Sequence, residues 1–212
     1  ENQISPQEFN VDDRERTNDT AVVQIDSSGG TGFIVDNHII ATAAHCVYDD
    51  STGFGKDVTV DIYEDNDSGK HKSVKAAEVH IPRDYVNLVN ETGTHLRSMF
   101  DYALIYVEED LSEYGKFDLG IPSDEFMDSK TTVTVSGFPQ VVHGSFDDEN
   151  CEYLYKADGV ILNCHSYAGE NNWQFKGHPQ KQENFFSHQL MTSAYGSGGD
   201  SGGPIYMTIN VG

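Results

Sequence analysis

From residue 21 onward the apolar residues come in short runs of three to eight, separated by clusters of Gly, Asp, Asn and Ser. Runs of that length bounded by turn formers predict strands. They fall at Ala21–Ile25, Thr31–Val35, His38–Thr42, Val58–Tyr63, Val74–Ile81 and Ala103–Val107. Further along they fall at Thr132–Val135, Glu152–Tyr155, Val160–Leu162, Ser187–Met191 and Ile205–Ile209. No interval carries the 3.6-residue period over three helical turns. An all-β sandwich or barrel is therefore expected. Residues 1–16 are polar, contain Pro6 and show no periodicity, so they are read as an N-terminal arm or the remnant of a pro-segment.

Two connections stand out. Glu64-Asp65-Asn66-Asp67-Ser68-Gly69 is dense in oxygen atoms, but it lacks the EF-hand spacing and is read as a hairpin tip before a calcium loop. His165 to Phe185 is polar and longer than most connections in a compact domain, which suggests a rim loop.

Composition narrows the class. A chain of 212 residues with 37 % hydrophobic residues can fill a sizeable core. Its 13 Lys and Arg against 35 Asp and Glu give a formal charge of −22, and no basic cluster occurs, so nucleic acid is not an expected partner. No apolar run spans a bilayer, and no membrane partner is expected. Glu1-Asn2-Gln3 stands where a secretory leader would have basic residues, so a leader already removed is the expectation. Of the 3 cysteines, Cys151 and Cys164 flank what reads as a hairpin turning at Ala157-Asp158-Gly159. A disulfide across it is expected if the protein is exported; two free thiols are the alternative.

The chemistry concentrates in three places. Gly196-Ser197-Gly198-Gly199-Asp200-Ser201-Gly202-Gly203-Pro204 sets a serine in a glycine-rich turn, where its hydroxyl lies beside backbone N–H groups. Ala41-Thr42-Ala43-Ala44-His45-Cys46 sets one histidine among small residues at a strand end. Asp101-Tyr102-Ala103-Leu104-Ile105 sets a carboxylate at the head of another strand. An imidazole between a hydroxyl and a buried carboxylate can take and return a proton, which is the logic of a nucleophilic triad in the order His45, Asp101, Ser201. The other eight histidines lack such a setting and form no zinc spacing.

That order, with Ala43-Ala44-His45-Cys46 and Gly199-Asp200-Ser201-Gly202-Gly203-Pro204, resembles the chymotrypsin-like serine peptidases. Val11-Asp12-Asp13-Arg14, Ala41 to Tyr48 and Val133-Thr134-Val135-Ser136-Gly137-Phe138-Pro139 resemble the secreted bacterial glutamyl endopeptidases more closely. The resemblance implies an all-β fold of two six-stranded antiparallel barrels, the first over 17–118 and the second, incomplete in this chain, over 119–212. It implies His45 as base and acid, Asp101 as orienter and Ser201 as nucleophile, with an oxyanion hole from the N–H groups of Gly199 and Ser201. It implies no cofactor and no metal, a protein or peptide substrate, and a secreted enzyme. Thr192, Tyr195 and Gly196 are the candidates for the substrate-binding wall, with Ser193 an alternative to Thr192 or Gly196 at the position where the resemblance implies a hydroxyl for glutamate. Tyr195 stands where a Lys- or Arg-directed enzyme has an acid, so preference for glutamate is the open alternative.

Several departures qualify the resemblance. The family's bridge to the cysteine after the histidine has no partner in Ser28-Gly29-Gly30-Thr31-Gly32, so Cys46 is expected as a buried free thiol. Only 11 residues follow Ser201, so a separate C-terminal fragment completing the second barrel is one expectation, and an inactive or zymogen-like homologue acting as a binding protein is the alternative function. Asp200, without an evident partner, is expected to await an amine freed by cleavage between Ser5 and Val11, with Glu8-Phe9 the favoured bond.

Overall fold

A computed structural model of the chain describes residues 12–26, 28–54, 57–88, 96–123, 126, 131–143, 145–146, 153–162 and 191–209. In chain order its strands are β1 (Glu15–Arg16), β2 (Val22–Ile25), β3 (Gly30–Asp36), β4 (Ile39–Thr42), β5 (Tyr48–Asp49), β6 (Gly53–Phe54), β7 (Thr59–Asp65) and β8 (Lys70–Lys75). They continue as β9 (Glu78–His80), β10 (Ala103–Tyr106), β11 (Thr132–Gly137), β12 (Val141–Val142), β13 (Ser145–Phe146), β14 (Tyr155–Leu162), β15 (Met191–Thr192) and β16 (Ile205–Tyr206). Two short helices, α1 (Ala44–Val47) and α2 (Arg83–Asn87), and two 3-10 turns at Leu96–Phe100 and Ser112–Tyr114 complete the regular structure of these residues. None of the helices is long and apolar enough to cross a membrane.

The fold is the all-β, chymotrypsin-like one that the resemblance implies. Seven strands make one antiparallel sheet, ordered β8-β7-β2-β3-β4-β10-β9, and five make a second, β1-β14-β11-β16 with β15 also on β14. Both curl into half-barrels. The first sheet thus has one strand more than the six expected, because Val74–Ile81 divides. Ala76 N–H donates to Val58 O at 2.9 Å, whereas Ala77 N–H donates to Tyr106 O at 2.8 Å. The chain leaves the β7 edge and joins the β10 edge within one residue, which brings the two ends of the sheet together. Lys70–Lys75 escaped the pattern because it is an outer hairpin strand whose only buried residue is Val74.

In the second sheet the expected hairpin between Glu152–Tyr155 and Val160–Leu162 is not formed. Tyr155–Leu162 is one continuous strand, with Ala157, Asp158 and Gly159 opposite Val135, Thr134 and Val133. The turn-forming composition has a packing cause instead. A Cβ on Gly159 would stand 2.2 Å from the backbone nitrogen of Ala194, so the glycine admits the segment that carries β15. Asp158 accepts a hydrogen bond from Thr134 Oγ1 at 2.6 Å. The hairpin that motivated a Cys151–Cys164 bridge is therefore absent; the two cysteines lie outside the described residues. The oxygen-rich run at 64–69 closes the β7–β8 hairpin, with Asp67 N–H and Asn18 Nδ2 on Asp65 Oδ1 and Lys70 paired with Glu64.

Strand β2 shows how the two sheets share a core. Its Val23 and Ile25 point into a cluster with Ile34, Ile40, Val60, Ile62, Ala103 and Ile105. Val22, on the opposite face, packs with Tyr63, Phe138 and Leu154. Being buried on both sides makes the run Val-Val-Gln-Ile apolar without strict alternation. Phe138 and Leu154 belong to the second sheet's connections, so this smaller cluster joins the sheets and aligns the loops that meet between them. Glu15–Arg16 adds an edge to the second sheet through Glu15↔Lys156 and Arg16↔Tyr155.

Candidate active site

His45 and Asp101 meet because of strand register. Ala103 on β10 is opposite Thr42 on β4, and continuing that antiparallel ladder by two residues sets Asp101 opposite Ala44. There the chain bends into α1, whose first residue is preceded by Ala43 in extended conformation. His45 N–H donates to Asp101 Oδ1 at 2.9 Å, and Nδ1–H donates to Oδ2 at 2.7 Å. Both carboxylate oxygens are thus used on one residue, which fixes the ring and leaves Nε2 as the outward nitrogen. Burial alone would push the Asp101 carboxyl up, but the hydrogen bonds and charge of His45 outweigh it and hold it below the usual range. Reciprocally, the Asp101 hydrogen bond, aided by Cys46, raises the His45 imidazolium to about 10. Arg97 braces the turn before Asp101: its guanidinium lies 3.9 Å over the Tyr85 ring, its Nε–H donates to Tyr85 O, and its other two nitrogens grip the Asp50 carboxylate.

Ser201 is held by backbone, not by its side chain. Its carbonyl accepts Thr31 N–H at 2.8 Å and Cys46 Sγ at 3.4 Å, which sets it against the residue next to His45. Among the described residues its hydroxyl makes no hydrogen bond, and the N–H groups of Gly199 and Ser201 also have no partner. Gly199 has φ +98°, and a Cβ there would stand 2.2 Å from Phe138 O. Gly202, at φ +83°, would likewise collide with Thr31 O and Thr42 Oγ1. Each glycine thus permits a left-handed turn with a close backbone approach, Gly199 to the connection after β11 and Gly202 to β3 and β4 of the other sheet.

Thr31, fully buried, was not foreseen from sequence. Its hydroxyl donates to Gly199 O at 2.7 Å and accepts Phe138 N–H at 2.9 Å, while its carbonyl accepts Thr42 Oγ1 at 2.7 Å. A threonine at the head of a strand after three small residues gives no sign of this; only the meeting of the sheets does. The Gly199 carbonyl is thus engaged by Thr31 and is tied to β3 of the first sheet.

The pocket candidates are differently placed. Thr192, on β15 opposite Ile161, accepts Ala194 N–H at 3.2 Å, and among the described residues its hydroxyl donates to no acceptor. Tyr195 carries the Arg14 guanidinium 4.8 Å above its ring. Gly196 is exposed at the start of the nucleophile turn. Asp200 is not unmatched: its Oδ2 accepts Arg14 Nη1–H at 3.1 Å and Ser197 N–H at 2.8 Å. Arg14 and His143, which docks on Asp12 and Arg14, were both missed as site residues. Among the described residues no group of three or more His, Cys, Asp or Glu is arranged to hold a metal.

Cys46 is a buried free thiol, as expected. A Cβ built on Gly30 would lie 2.6 Å from its Sγ and 3.3 Å from its Cβ. Disulfides keep the two Cβ atoms about 3.5–4.5 Å apart, so a shift of tenths of an ångström would fit one. Gly30→Cys is expected to bond Cys46 under oxidising conditions and, for a loop of about 15 residues, to stabilise the fold by up to about 3 kcal/mol. Thiol titration of Cys46 and the Tm check this; a Cys46 still free after oxidation contradicts it.

Known proteins bear on this geometry. A glutamyl endopeptidase of Bacillus licheniformis is 33 % identical over 138 residues, 60 % of this chain and 40 % of that protein. The chain therefore spans well under half the length of this relative. A solved structure described as a Glu endopeptidase in complex with MPD superposes with a TM-score of 0.55 at 20 % identity, covering 72 % of this chain and 70 % of the other; at that identity it speaks for the fold alone. The trypsin family model matches residues 9–211, a span that takes in the His45–Asp101 pair, the Ser201 turn and both sheets, and the chain belongs to the trypsin family.

Proposed function

We propose that this protein is a serine endopeptidase that hydrolyses peptide bonds through an acyl-enzyme. The observation that carries the reading is the His45–Asp101 pair set beside a turn that presents the Ser201 hydroxyl and two N–H donors without partners among the described residues. His45 Nε2 takes the Ser201 proton as Oγ attacks the scissile carbonyl carbon. The carbonyl oxygen, becoming an oxyanion, is received by the N–H groups of Gly199 and Ser201. The imidazolium, held by Asp101, passes the proton to the leaving amine, and the peptide C–N bond breaks. Water then enters by the same route, His45 taking its proton, and the acid product leaves with Ser201 restored. The first domain, 17–118, supplies His45 and Asp101; the second, 119–212, supplies Ser201.

Cleavage after glutamate, and export from a bacterial cell, are the finer parts of this proposal. Support for glutamate comes from the name of the Bacillus licheniformis relative and from Thr192, a hydroxyl of the kind that can donate to a carboxylate and one that donates to no acceptor among the described residues. Tyr195, stacked on Arg14, offers no acid for a Lys or Arg side chain.

A fluorophosphonate probe applied to the full chain is expected to label Ser201 once per molecule. Peptides differing only at the residue before the scissile bond should be cut best after Glu, and less after Asp, Lys or Phe. An unlabelled Ser201 turns the reading to a peptidase-like binding protein; labelling with no preference for Glu removes the specificity alone.

A further inference from the structure

Among the described residues, Arg14 is the buried cation, and the reaction above does not use it. Its side chain is 2 % exposed, and that of Asp200 is 10 %. All five of its N–H groups have acceptors. Nη1 reaches Ser197 Oγ at 2.7 Å and Asp200 Oδ2 at 3.1 Å. Nε and Nη2 reach the two oxygens of Asp12, each at 2.9 Å, and Nη2 also reaches Val141 O. The same Val141 carbonyl accepts Ser197 Oγ at 3.1 Å. His143 closes the cluster: its N–H donates to Asp12 Oδ2 at 2.6 Å and its Nε2 to Arg14 O at 3.1 Å, with its backbone in the left-handed region at φ 50°. A non-glycine residue in that conformation persists only where its surroundings hold it.

This cluster ends on the turn that carries the chemistry. Asp200 Oδ2 accepts Ser197 N–H, Asp200 N–H donates to Ser197 O, and Gly203 N–H donates to Asp200 O. The orientation of the Gly199 and Ser201 N–H groups is therefore set by where the Asp200 carboxylate sits. Burial raises that carboxyl above its ordinary value despite the adjacent guanidinium. With no cation there, the carboxylate gains by swinging to water or by binding a proton, and either change releases the turn.

We infer that Arg14 is a positioning residue for the reaction proposed above, on which this inference rests: its guanidinium holds Asp200 and Ser197 so that the Gly199 and Ser201 N–H groups converge on the substrate oxygen. The cation that completes the site is an internal side chain of the segment leading into β1. It is present however the residues before Asp12 are processed, so no newly freed amine is needed for Asp200.

The test uses the full chain carrying Arg14→Ala, Arg14→Lys or Asp200→Asn, with Ser201→Ala as reference. Losing the alignment of an oxyanion-hole donor predicts a fall in kcat of about 100- to 1000-fold, with KM little changed. Fluorophosphonate labelling should slow in parallel. Arg14→Lys should recover only part, because an ammonium cannot supply the five-donor fork. Methylguanidinium added to Arg14→Ala should restore labelling where methylammonium does not. If Arg14→Ala does not fold, Arg14→Lys and Asp200→Asn decide. Parental kcat in folded variants, or a loss confined to KM, overturns the inference while the labelled parent keeps the serine peptidase reading. A parent that is not labelled at Ser201 overturns both.

Discussion

Ser201→Ala is expected to lower kcat for peptide hydrolysis by on the order of 10⁶-fold, the scale seen when a triad nucleophile is deleted, while the Tm stays at the parental value. The separation follows from how the residue is held. Its structural bonds are backbone ones, from Thr31 N–H and Cys46 Sγ to the Ser201 carbonyl. Its hydroxyl has no partner among the described residues, so deleting it strands no donor and opens no core. Steady-state kinetics with a thermal melt checks both halves. An unfolded variant contradicts the placement, and undiminished turnover contradicts the chemistry.

Asp101→Asn is expected to cost about 10⁴-fold in kcat, as loss of the orienting carboxylate does in this kind of triad. The carboxylate accepts two hydrogen bonds from His45, on Oδ1 and Oδ2. An amide offers one acceptor and one donor there. It must either leave one His45 N–H unmet or donate to Nδ1, which moves the ring proton to the nitrogen that should take the serine's.

The pH profile should shift as well. A protonated imidazole cannot act as base, and Asp101 raises His45 to about 10, so activity of the parent should climb through a limb above the ordinary histidine value. In the variant that limb moves down. Because the folded-state value is raised, the His45 contribution to stability is fully present below the unfolded pKa of about 6.5 and is lost as pH rises toward about 10. Asp101 is held low, so its own contribution is present above about 3.9 and lost as pH falls below it. The Tm difference between parent and variant should thus be widest between about pH 4 and pH 6.5 and narrow towards pH 10. A difference that widens with rising pH sinks the ion-pair account.

Much of the architecture can be read from the chain. Short apolar runs with turn-forming connections located β2, β3, β4, β7, β10, β11 and β16 to within a few residues, because strands buried on at least one face must be apolar there. Strands whose partners lie at an edge could not be read: Glu15–Arg16 and Lys70–Lys75 carry charge because water covers them, and their pairing is set by neighbours distant in sequence. Ala157-Asp158-Gly159 was misread for a related reason. Its glycine answers the backbone of Ala194, and a close approach leaves the same composition as a turn.

The site divides along the same line. His45, Asp101 and Ser201 are legible because their chemistry demands particular residue types in particular local settings, and Gly199 and Gly202 because a left-handed backbone demands glycine. Thr31 carries no local sign of its role, and Arg14, although Val11-Asp12-Asp13-Arg14 carries part of the resemblance, carries no sign of its partner. Thr31 bonds Gly199, 168 positions away, and Arg14 bonds Asp200, 186 away. A hydroxyl or guanidinium acquires such a role only when folding removes water from around it and leaves one set of partners, and that is decided where the two sheets meet.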